Sequence, residues 1–265
     1  MNKTKALGQH FLTDRSILRK ILSVINPQKD ELIIEIGAGK GALTFLLAER
    51  AGKVVAIEKD RALIPFLEEG DRENLIILER DVLDVDFRGL AAGEPSFRGR
   101  VKLTGNLPYS ISSPLLFKVL ENKDLFSACV FLLQKEVAQR LAAAPGSKDF
   151  APVSILYQLY FEVRLRWTLA PGVFSPPPKV QSALVSLEKR PSPLYAVTNE
   201  ELFRRFLRAA FTQRRKTLAN NLKSWPYRSG PIQEALLRLG LKEAVRAEEL
   251  SIGQLVALFG GLTRA

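Results

Sequence analysis

The stretch LIIEIGAGKG, residues 32–41, joins an apolar run to a cluster of glycines. Its first half, Leu32–Ile36, is almost continuously apolar, which is typical of a strand that is buried on both faces of a sheet. Gly37, Gly39 and Gly41 follow directly, and a helical pattern begins after them. Glycines at a strand-to-helix turn allow a ligand to approach the backbone closely. The stretch therefore predicts a nucleotide-binding α/β domain.

The spacing of these glycines narrows the kind of nucleotide. It is G-x-G-x-G, which departs from the dinucleotide fingerprint, and no G-K-[ST] follows to complete a P-loop. Glu58 ends the second apolar run, where a carboxylate can accept hydrogen bonds from both ribose hydroxyls of an adenosine. Asp81 follows the third run, where an acid can accept from an adenine amino group. Together these features indicate S-adenosylmethionine, although Glu58 as an exposed strand-end charge and Asp81 as a turn or cap residue remain open.

Apolar runs alternate with amphipathic segments as far as residue 190. This alternation predicts a mostly parallel sheet that is covered by helices on both faces. The last strand is expected to be antiparallel, because only a proline-rich connection precedes it. The seven predicted strands are Leu32–Ile36, Val54–Ile57, Leu75–Leu78, Val101–Leu103, Ala128–Leu133, Val163–Leu169 and Ala183–Leu187.

The chain changes character at residue 190. We predict a catalytic domain over residues 1–189, with an N-terminal arm and helix at 1–30, and a helical domain over 190–265. The last helix is expected to start at Ser251 and to end at Gly260-Gly261. Residues 190–265 contain 13 Lys and Arg against 6 Asp and Glu, a net charge of +7, whereas residues 1–189 contain 26 and 22, a net charge of +4. This basic excess favours a polyanionic partner such as nucleic acid, with simple solubility as the alternative.

Composition excludes several classes of protein. No apolar run approaches the roughly 20 residues that a membrane-spanning helix needs, and the N-terminus does not have the pattern of a signal peptide. A cytoplasmic protein with no membrane partner is therefore expected. A structural zinc site is excluded because the chain has one Cys and one His, and no metal is expected. Cys129 is predicted to be a small core residue.

The segment GNLPYS, residues 105–110, follows the fourth predicted strand and lies at the carboxyl edge of the sheet, next to the predicted cofactor. The amide oxygen of Asn106 and the carbonyl of Leu107 can accept the two hydrogens of an adenine amino group. This favours the tetrahedral geometry that the nitrogen needs for methylation. Pro108 restricts the backbone, and the ring of Tyr109 offers a surface on which a flipped base can stack. A plain turn with a buried tyrosine is the alternative.

A second aromatic residue, Phe174, precedes the stiff segment Ser175–Pro178. There it can serve as a second stacking surface, and Lys179 can meet a phosphate. The alternative is a core phenylalanine beside a rigid connection.

The chain resembles the KsgA/RsmA (Dim) family of ribosomal RNA adenine dimethyltransferases. The resemblance extends over nearly the whole chain and implies a class I, Rossmann-like, S-adenosylmethionine-dependent methyltransferase with a small C-terminal helical domain. It further implies N6-dimethylation of two adjacent adenosines in the hairpin near the 3′ end of 16S rRNA, within an immature 30S subunit, by a monomer. The matching segments are LGQHFL (7–12), EIGAGKGALT (35–44), IEKD (57–60), RDVLDVDF (80–87), GNLPYSISSPLLF (105–117), LLQKEVAQRL (132–141), FSPPPKVQSALVSL (174–187) and AAFTQRRKTLANNL (209–222).

The resemblance assigns roles to individual positions. It implies cofactor contacts at His10, Leu12, Gly37, Glu58, Asp81 and Asn106, to which the glycine pattern adds Gly39. It implies catalytic positions at Asn106, Leu107, Pro108, Tyr109 and Phe174. Lys179, Arg214, Arg215 and Lys216 are expected to contact rRNA. Lys40 departs from the usual family pattern, and we expect its side chain to point to solvent.

Three alternatives stay open at this point. The first is a large-subunit rRNA adenine methyltransferase of the erythromycin-resistance type, which shares the catalytic core. The second is a DNA adenine methyltransferase, although such enzymes usually carry an acid in place of Asn106. The third is a ribosome-assembly factor with little catalysis.

Overall fold

The computed structural model describes residues 9–97, 99–223, 225–226 and 231–263, so residues 7 and 8 of the LGQHFL segment lie outside the described residues. The strands of the described residues are β1 (Phe11–Leu12), β2 (Leu32–Ile36), β3 (Lys53–Glu58), β4 (Leu75–Glu79), β5 (Val101–Asn106), β6 (Phe126–Gln134), β7 (Phe161–Leu169), β8 (Phe174–Ser175) and β9 (Ser182–Lys189). Seven of them form one sheet in the order β4-β3-β2-β5-β6-β9-β7, and β1 and β8 form a second, two-stranded sheet. Strands β2 to β6 pair in parallel and β9 pairs antiparallel with β6. The predicted seven-stranded, mostly parallel sheet is therefore confirmed.

Helices connect most of the parallel strands. Those of the described residues are α1 (Arg15–Ile25), α2 (Thr44–Ala48), α3 (Ile64–Glu68), α4 (Phe87–Ala92), α5 (Ser112–Glu121), α6 (Lys135–Leu141), α7 (Pro152–Tyr160), α8 (Glu200–Ala210), α9 (Leu218–Leu222), α10 (Ile232–Arg238) and α11 (Ile252–Thr263). None of the described helices is long and apolar enough to cross a membrane.

The strand order reverses direction between β2 and β5, and this reversal locates the site. Strand β2 is buried along its whole length, and each fully buried Leu or Ile stabilises the fold by roughly 1.5–3 kcal/mol. The register pairs Ile36 with Gly105, so Gly37 and Asn106, which follow them, lie side by side at the carboxyl ends of the two strands. Ligands of open α/β sheets bind at such a switch point, at the carboxyl ends of the strands.

Helix α1 covers part of the sheet and anchors the segment that precedes it. Its four buried residues are spaced as on one helical face and are Leu18, Ile21, Leu22 and Ile25. Asp14 caps its first turn, because Oδ1 accepts hydrogen bonds from the backbone N–H groups of Ser16 (2.8 Å) and Ile17 (3.1 Å). The Ser16 hydroxyl and these N–H groups lower the pKa of Asp14.

The chain divides into two compact units. The first contains the residues up to Ala138 together with Glu162–Lys189, and the second contains Gln139–Phe161 together with the residues from Arg190 onward. The break at Lys189 coincides with the predicted boundary, but Gln139–Phe161, assigned by sequence to the first domain, clusters with the second unit. The functional extent of each domain stays a prediction.

The second unit has an aromatic core of its own, formed by Phe203, Phe206, Trp225 and Phe259. The expectation that its last helix ends at Gly260-Gly261 is wrong, since α11 continues to Thr263. The burial of Leu262 on the far side of the two glycines accounts for this, because packing outweighs a helix propensity penalty of about 1 kcal/mol per glycine.

Cys129 lies on β6 in the first unit and is completely buried. Burial raises the pKa of its thiol far above the ordinary value. It is the core residue that the sequence predicts.

Candidate active site

The glycine turn after β2 has a backbone that few other residues adopt. Gly37, Gly39 and Gly41 have φ values of 68°, 60° and 84°, in a region that costs other residues about 1–2 kcal/mol each. The N–H groups of Gly37 (2.8 Å) and Ala38 (3.3 Å) donate to the carbonyl of Ile57, which ties the turn to the end of β3. The turn is thereby held open at the switch point of the sheet.

Glu58 at the end of β3 is buried and its carboxylate is fixed by the backbone. Oε2 accepts from the N–H of Gly39 (2.8 Å) and Oε1 accepts from the N–H of Asp60 (2.8 Å). Each carboxylate oxygen has two lone pairs, so both oxygens retain capacity for a ligand. The exposed strand-end charge is not what the structure shows, because Glu58 is 5% exposed. Its contact with a ribose stays a prediction.

Asp81 and Glu58 line one cavity. The carboxylate of Asp81 is held by hydrogen bonds to both of its oxygens. Oδ1 accepts from the N–H of Leu83 (2.9 Å) and caps a short 3₁₀ turn, while Oδ2 accepts from Nζ of Lys59 (2.6 Å). The Lys59 ammonium, followed by the Leu83 N–H, lowers the pKa of Asp81. Asp81 is therefore a cap residue, which was the alternative left open by the sequence. Its contact with adenine stays a prediction. The cavity has a volume of about 160 Å³ and is lined by both acids together with apolar groups, among them Ile57, Val82 and Ile111.

Glu35 is a further acid of the site that sequence analysis did not assign. It is the next-to-last residue of β2, is 3% exposed and lines a neighbouring cavity of about 530 Å³ together with Gly37 and Asn106. Its Oε2 has no hydrogen-bond partner among the described residues. Burial, with a contribution from the charge of Glu58, raises the pKa of Glu35 to about 8. The signal in the sequence was one carboxylate within the otherwise apolar run LIIEI.

Asn106 is the last residue of β5, and its side chain is oriented by the N-terminal arm, which we define as residues 9–13. Its Nδ2 donates to the backbone carbonyl of His10 at 2.7 Å. The adjoining backbone is fixed as well, because the N–H of Leu107 donates to the carbonyl of Leu132 (3.1 Å). The carbonyl of Pro108 accepts from the N–H of Ile111 (3.1 Å), which turns the chain into α5.

Tyr109 is placed by two contacts. Its hydroxyl lies 2.9 Å from Oγ of Ser182, and its ring centroid lies 5.8 Å from that of His10. A cavity lined by Asn106, Leu107 and Tyr109 also includes Glu58, so the sheet brings the predicted catalytic segment against the predicted cofactor pocket.

The N-terminal arm is attached to the site through strand pairing. Phe11 pairs with Ser175 and Leu12 with Phe174, which joins β1 antiparallel to β8. Next to this pairing, Nδ1 of His10 lies 2.7 Å from the carbonyl of Pro176. The predicted cofactor contacts His10 and Leu12 are thus placed beside Asn106 and the glycine turn.

Lys40 does more than point to solvent. It is exposed, yet its Nζ lies 5.0 Å from the ring centroid of Phe66 and 5.9 Å from that of Phe11, within the range of cation–π attraction. The position that departs from the family pattern therefore contacts the N-terminal arm.

Phe174 and Lys179 differ in accessibility. Phe174 is 4% exposed and packs in a core cluster with Leu12 and Leu132, so base stacking on its ring would require it to be uncovered. Lys179 is exposed in the loop between β8 and β9. Both roles stay predictions.

The predicted rRNA contacts of the second unit lie in the turn between α8 and α9. The segment Gln213–Lys216 is exposed along its whole length. The turn is fixed by a side chain of α9, because Nδ2 of Asn221 donates to the carbonyls of Ala210 (2.7 Å) and Gln213 (3.1 Å). Arg214, Arg215 and Lys216 thus form a small, uniformly positive surface.

Comparison with known proteins gives a consistent picture. The family model for ribosomal RNA adenine dimethylase matches residues 1–263. The chain is 44% identical to the ribosomal RNA small subunit methyltransferase A of Geobacter metallireducens over 258 residues, covering 96% of this chain and 93% of the relative. It is 44% identical to the protein of the same name from Syntrophus aciditrophicus, covering 98% and 94%.

Two solved structures cover nearly the whole chain. A dimethyladenosine transferase from Plasmodium falciparum superposes with a TM-score of 0.81 at 28% identity, covering 94% of this chain and 96% of the other. The 23S rRNA methyltransferase ErmE superposes with a TM-score of 0.72 at 23% identity, covering 96% and 100%. The second likeness bears on the fold alone.

Proposed function

The chain belongs to the ribosomal RNA adenine dimethylase family, and on that premise we propose that it dimethylates N6 of two adjacent adenosines in the hairpin near the 3′ end of 16S rRNA, with S-adenosylmethionine as donor. One observation carries the proposal. The cavity of Glu58 and Asp81 and the cavity of Asn106 and Tyr109 share the lining residues Gln9, Gly37, Glu58 and Pro108.

The relatives support the small subunit as the source of the substrate. Two proteins named as small-subunit methyltransferases match almost end to end at 44% identity. The large-subunit alternative is not favoured, because the likeness to the 23S rRNA methyltransferase is a likeness of fold. A factor without catalysis is disfavoured by the intact segment Asn106–Tyr109.

The residues of the first unit fit the proposed cofactor. Glu58 would accept from the ribose hydroxyls and Asp81 from the adenine amino group, while the apolar wall of the small cavity suits a purine ring. The backbone of Gly37 and Gly39 lets the cofactor approach closely. The unpaired Oε2 of Glu35 fits an ammonium group such as that of the methionine part. His10 and Leu12 complete the proposed contacts.

When bound, S-adenosylmethionine supplies an electrophilic methyl group on sulfur. The protein positions the acceptor: Oδ1 of Asn106 and the carbonyl of Leu107 accept the two hydrogens of the adenine amino group before the first transfer, and one of them accepts the remaining hydrogen before the second, so that the lone pair faces the methyl group. With the donor bound, the same two acceptors would keep the nitrogen lone pair directed at the methyl group that the cofactor supplies, and the methylated amine would release its proton to water. Stacking of the base on Tyr109 contributes about 1–3 kcal/mol. Positioning and the fixed acceptors provide most of the acceleration.

The partner of the second unit is proposed from charge. Arg214, Arg215 and Lys216 would contact rRNA phosphates, and Lys179 would do the same near the target base. We propose a monomer that acts in the cytoplasm on the immature 30S subunit.

The test is methyl transfer from labelled cofactor to purified ribosomal subunits that lack the modification. We expect label in 16S rRNA of the small subunit and background label in the large subunit, with Asn106→Ala as the inactive control. Label that is confined to 23S rRNA would show that the assigned substrate is wrong.

A further inference from the structure

The backbone carbonyl of His10 stands 2.7 Å from Nδ2 of Asn106, although 96 residues separate the two in sequence. A carbonyl can only accept a hydrogen bond, so the NH₂ group of the amide must face it. The orientation of the amide is thereby decided, and Oδ1 is the atom left to face the substrate. We propose that the His10 carbonyl is a positioning group for methyl transfer, and that the catalytic acceptor pair is complete only when the N-terminal arm is seated. This proposal rests on the catalytic role of Asn106 proposed above.

The position of this carbonyl is fixed by contacts on every residue of the arm. Nε2 of Gln9 donates to Oδ2 of Asp60 (3.3 Å), and the backbone N–H of Thr13 donates to the carbonyl of Val173 (3.2 Å). Between them, the ring of His10 contacts Pro176 and Tyr109, and Leu12 is buried. The arm is therefore seated by several independent contacts around the carbonyl.

Phe11 seats the arm directly on the glycine turn. A Cβ atom at Gly39 would lie 3.1 Å from the ring of Phe11, so ring and turn are in close contact. Nζ of Lys40 lies 5.9 Å from the centroid of the same ring. The segment that orients the catalytic amide thus also rests on the segment that approaches the cofactor, which couples the two halves of the site.

This arrangement favours an amide over a carboxylate at position 106. Asp in place of Asn106 would keep an acceptor of the same shape for the substrate amino group, but it would set two acceptor oxygens against each other at the His10 carbonyl. The repulsion would push the arm away from its seat, and the side chain would lose the contact that orients it toward the substrate. Asn106→Asp therefore separates the two functions of the residue, because it preserves the acceptor and removes the donor.

The experiment compares Asn106→Asp, Phe11→Ala and the double variant in the full-length protein. We measure single-turnover methyl transfer to unmethylated small subunits at saturating S-adenosylmethionine, and hydrogen exchange of the peptide that contains residues 9–13. Asn106→Asp should slow transfer by about a hundredfold and speed exchange in the arm. Phe11→Ala should slow transfer by about tenfold, and the double variant should be no slower than Asn106→Asp, because both act through the same amide.

Asn74→Asp is the matched control. Nδ2 of Asn74 also donates to backbone carbonyls, those of Ala48 (2.9 Å) and Ala51 (3.2 Å), away from the site. This variant should lower the melting temperature but leave transfer and arm exchange as in the wild type.

The outcomes distinguish this inference from the proposed function. The inference is overturned if Asn106→Asp transfers at the wild-type rate, if it is slow while the arm keeps wild-type protection, or if the effects of the two single variants multiply. Full activity of Asn106→Ala would instead overturn the catalytic role of Asn106 itself. A single cooperative thermal unfolding transition in each variant establishes that the protein is folded.

Discussion

The two halves of the site differ in how far apart in the sequence their contacting residues lie. On the side proposed to hold the cofactor, Glu58 is held by Gly39 and Asp60, 19 and 2 residues away. On the target side, Asn106 is held by His10 and Tyr109 by Ser182, 96 and 73 residues away. The Glu58 carboxylate of the proposed cofactor half is thus held within neighbouring strand–turn units, whereas the proposed target half depends on the N-terminal arm and the last strand.

This difference predicts that the two halves fail in different ways. Damage on the cofactor side should appear as weaker cofactor binding with the transfer step largely intact. Damage on the target side should appear in the rate of transfer at saturating cofactor. The variants below test this division from the largest expected effect to the smallest.

Asn106→Ala removes one of the two acceptors and should reduce transfer by about 10²–10³-fold. Rate measurements at saturating cofactor, paired with filter binding of small subunits, check this. Binding of rRNA should persist, since the segment Gln213–Lys216 is untouched. Retained dimethylation would exclude the proposed mechanism.

Glu58→Ala removes the carboxylate proposed to accept the ribose hydroxyls and should raise the dissociation constant of S-adenosylmethionine by about 10–100-fold. Calorimetric titration gives the affinity, and single-turnover rates at saturating cofactor should change much less. A variant with normal affinity and a low kcat would contradict the division between the two halves.

Arg214→Glu with Arg215→Glu should weaken binding to the small subunit by about tenfold. It should also flatten the salt dependence by about one unit of slope for each lost phosphate contact. The matched control is Arg238→Glu with Lys242→Glu, a second exposed pair in the same unit, with a smaller expected effect. Equal losses for both variants would mean that net charge, and not this turn, determines binding.

Glu35→Gln should alter the pH dependence of stability. The pKa of Glu35 is raised from 4.5 to about 8, so the folded state binds its proton more tightly than the unfolded state. The wild type should therefore lose stability as pH rises from about 4.5 to about 8, and the variant should not lose this part. The melting temperature of Glu35→Gln should exceed that of the wild type by a difference that grows between pH 5 and pH 8, to on the order of 10 °C. If the difference in melting temperature between the variant and the wild type does not change with pH across this range, the raised pKa of Glu35 is contradicted.

Much of the fold and of the cofactor half follows from sequence, for a physical reason. Strand β2 and the glycine turn are contiguous, and Glu58 falls where parallel strands end, so periodicity and spacing carry the information. The sequence also shows a carboxylate, Glu35, within an apolar run. Its burial, however, depends on the sheet as a whole and on neighbours that spacing does not reveal.

The target half was accessible only in part. The segment Asn106–Tyr109 was identifiable, but its attachment to His10 and Ser182 depends on long-range pairing that local patterns do not encode. The same holds for Phe174, whose aromatic character was plain from sequence while its burial under the N-terminal arm was not.

The most direct test of the account is mass spectrometry of 16S rRNA after incubation of the protein with unmethylated small subunits and labelled S-adenosylmethionine. The account predicts two adjacent N6,N6-dimethyladenosines in the hairpin near the 3′ end. Label at any other rRNA position, or no dimethyladenosine with a protein that binds both substrate and cofactor, would contradict it.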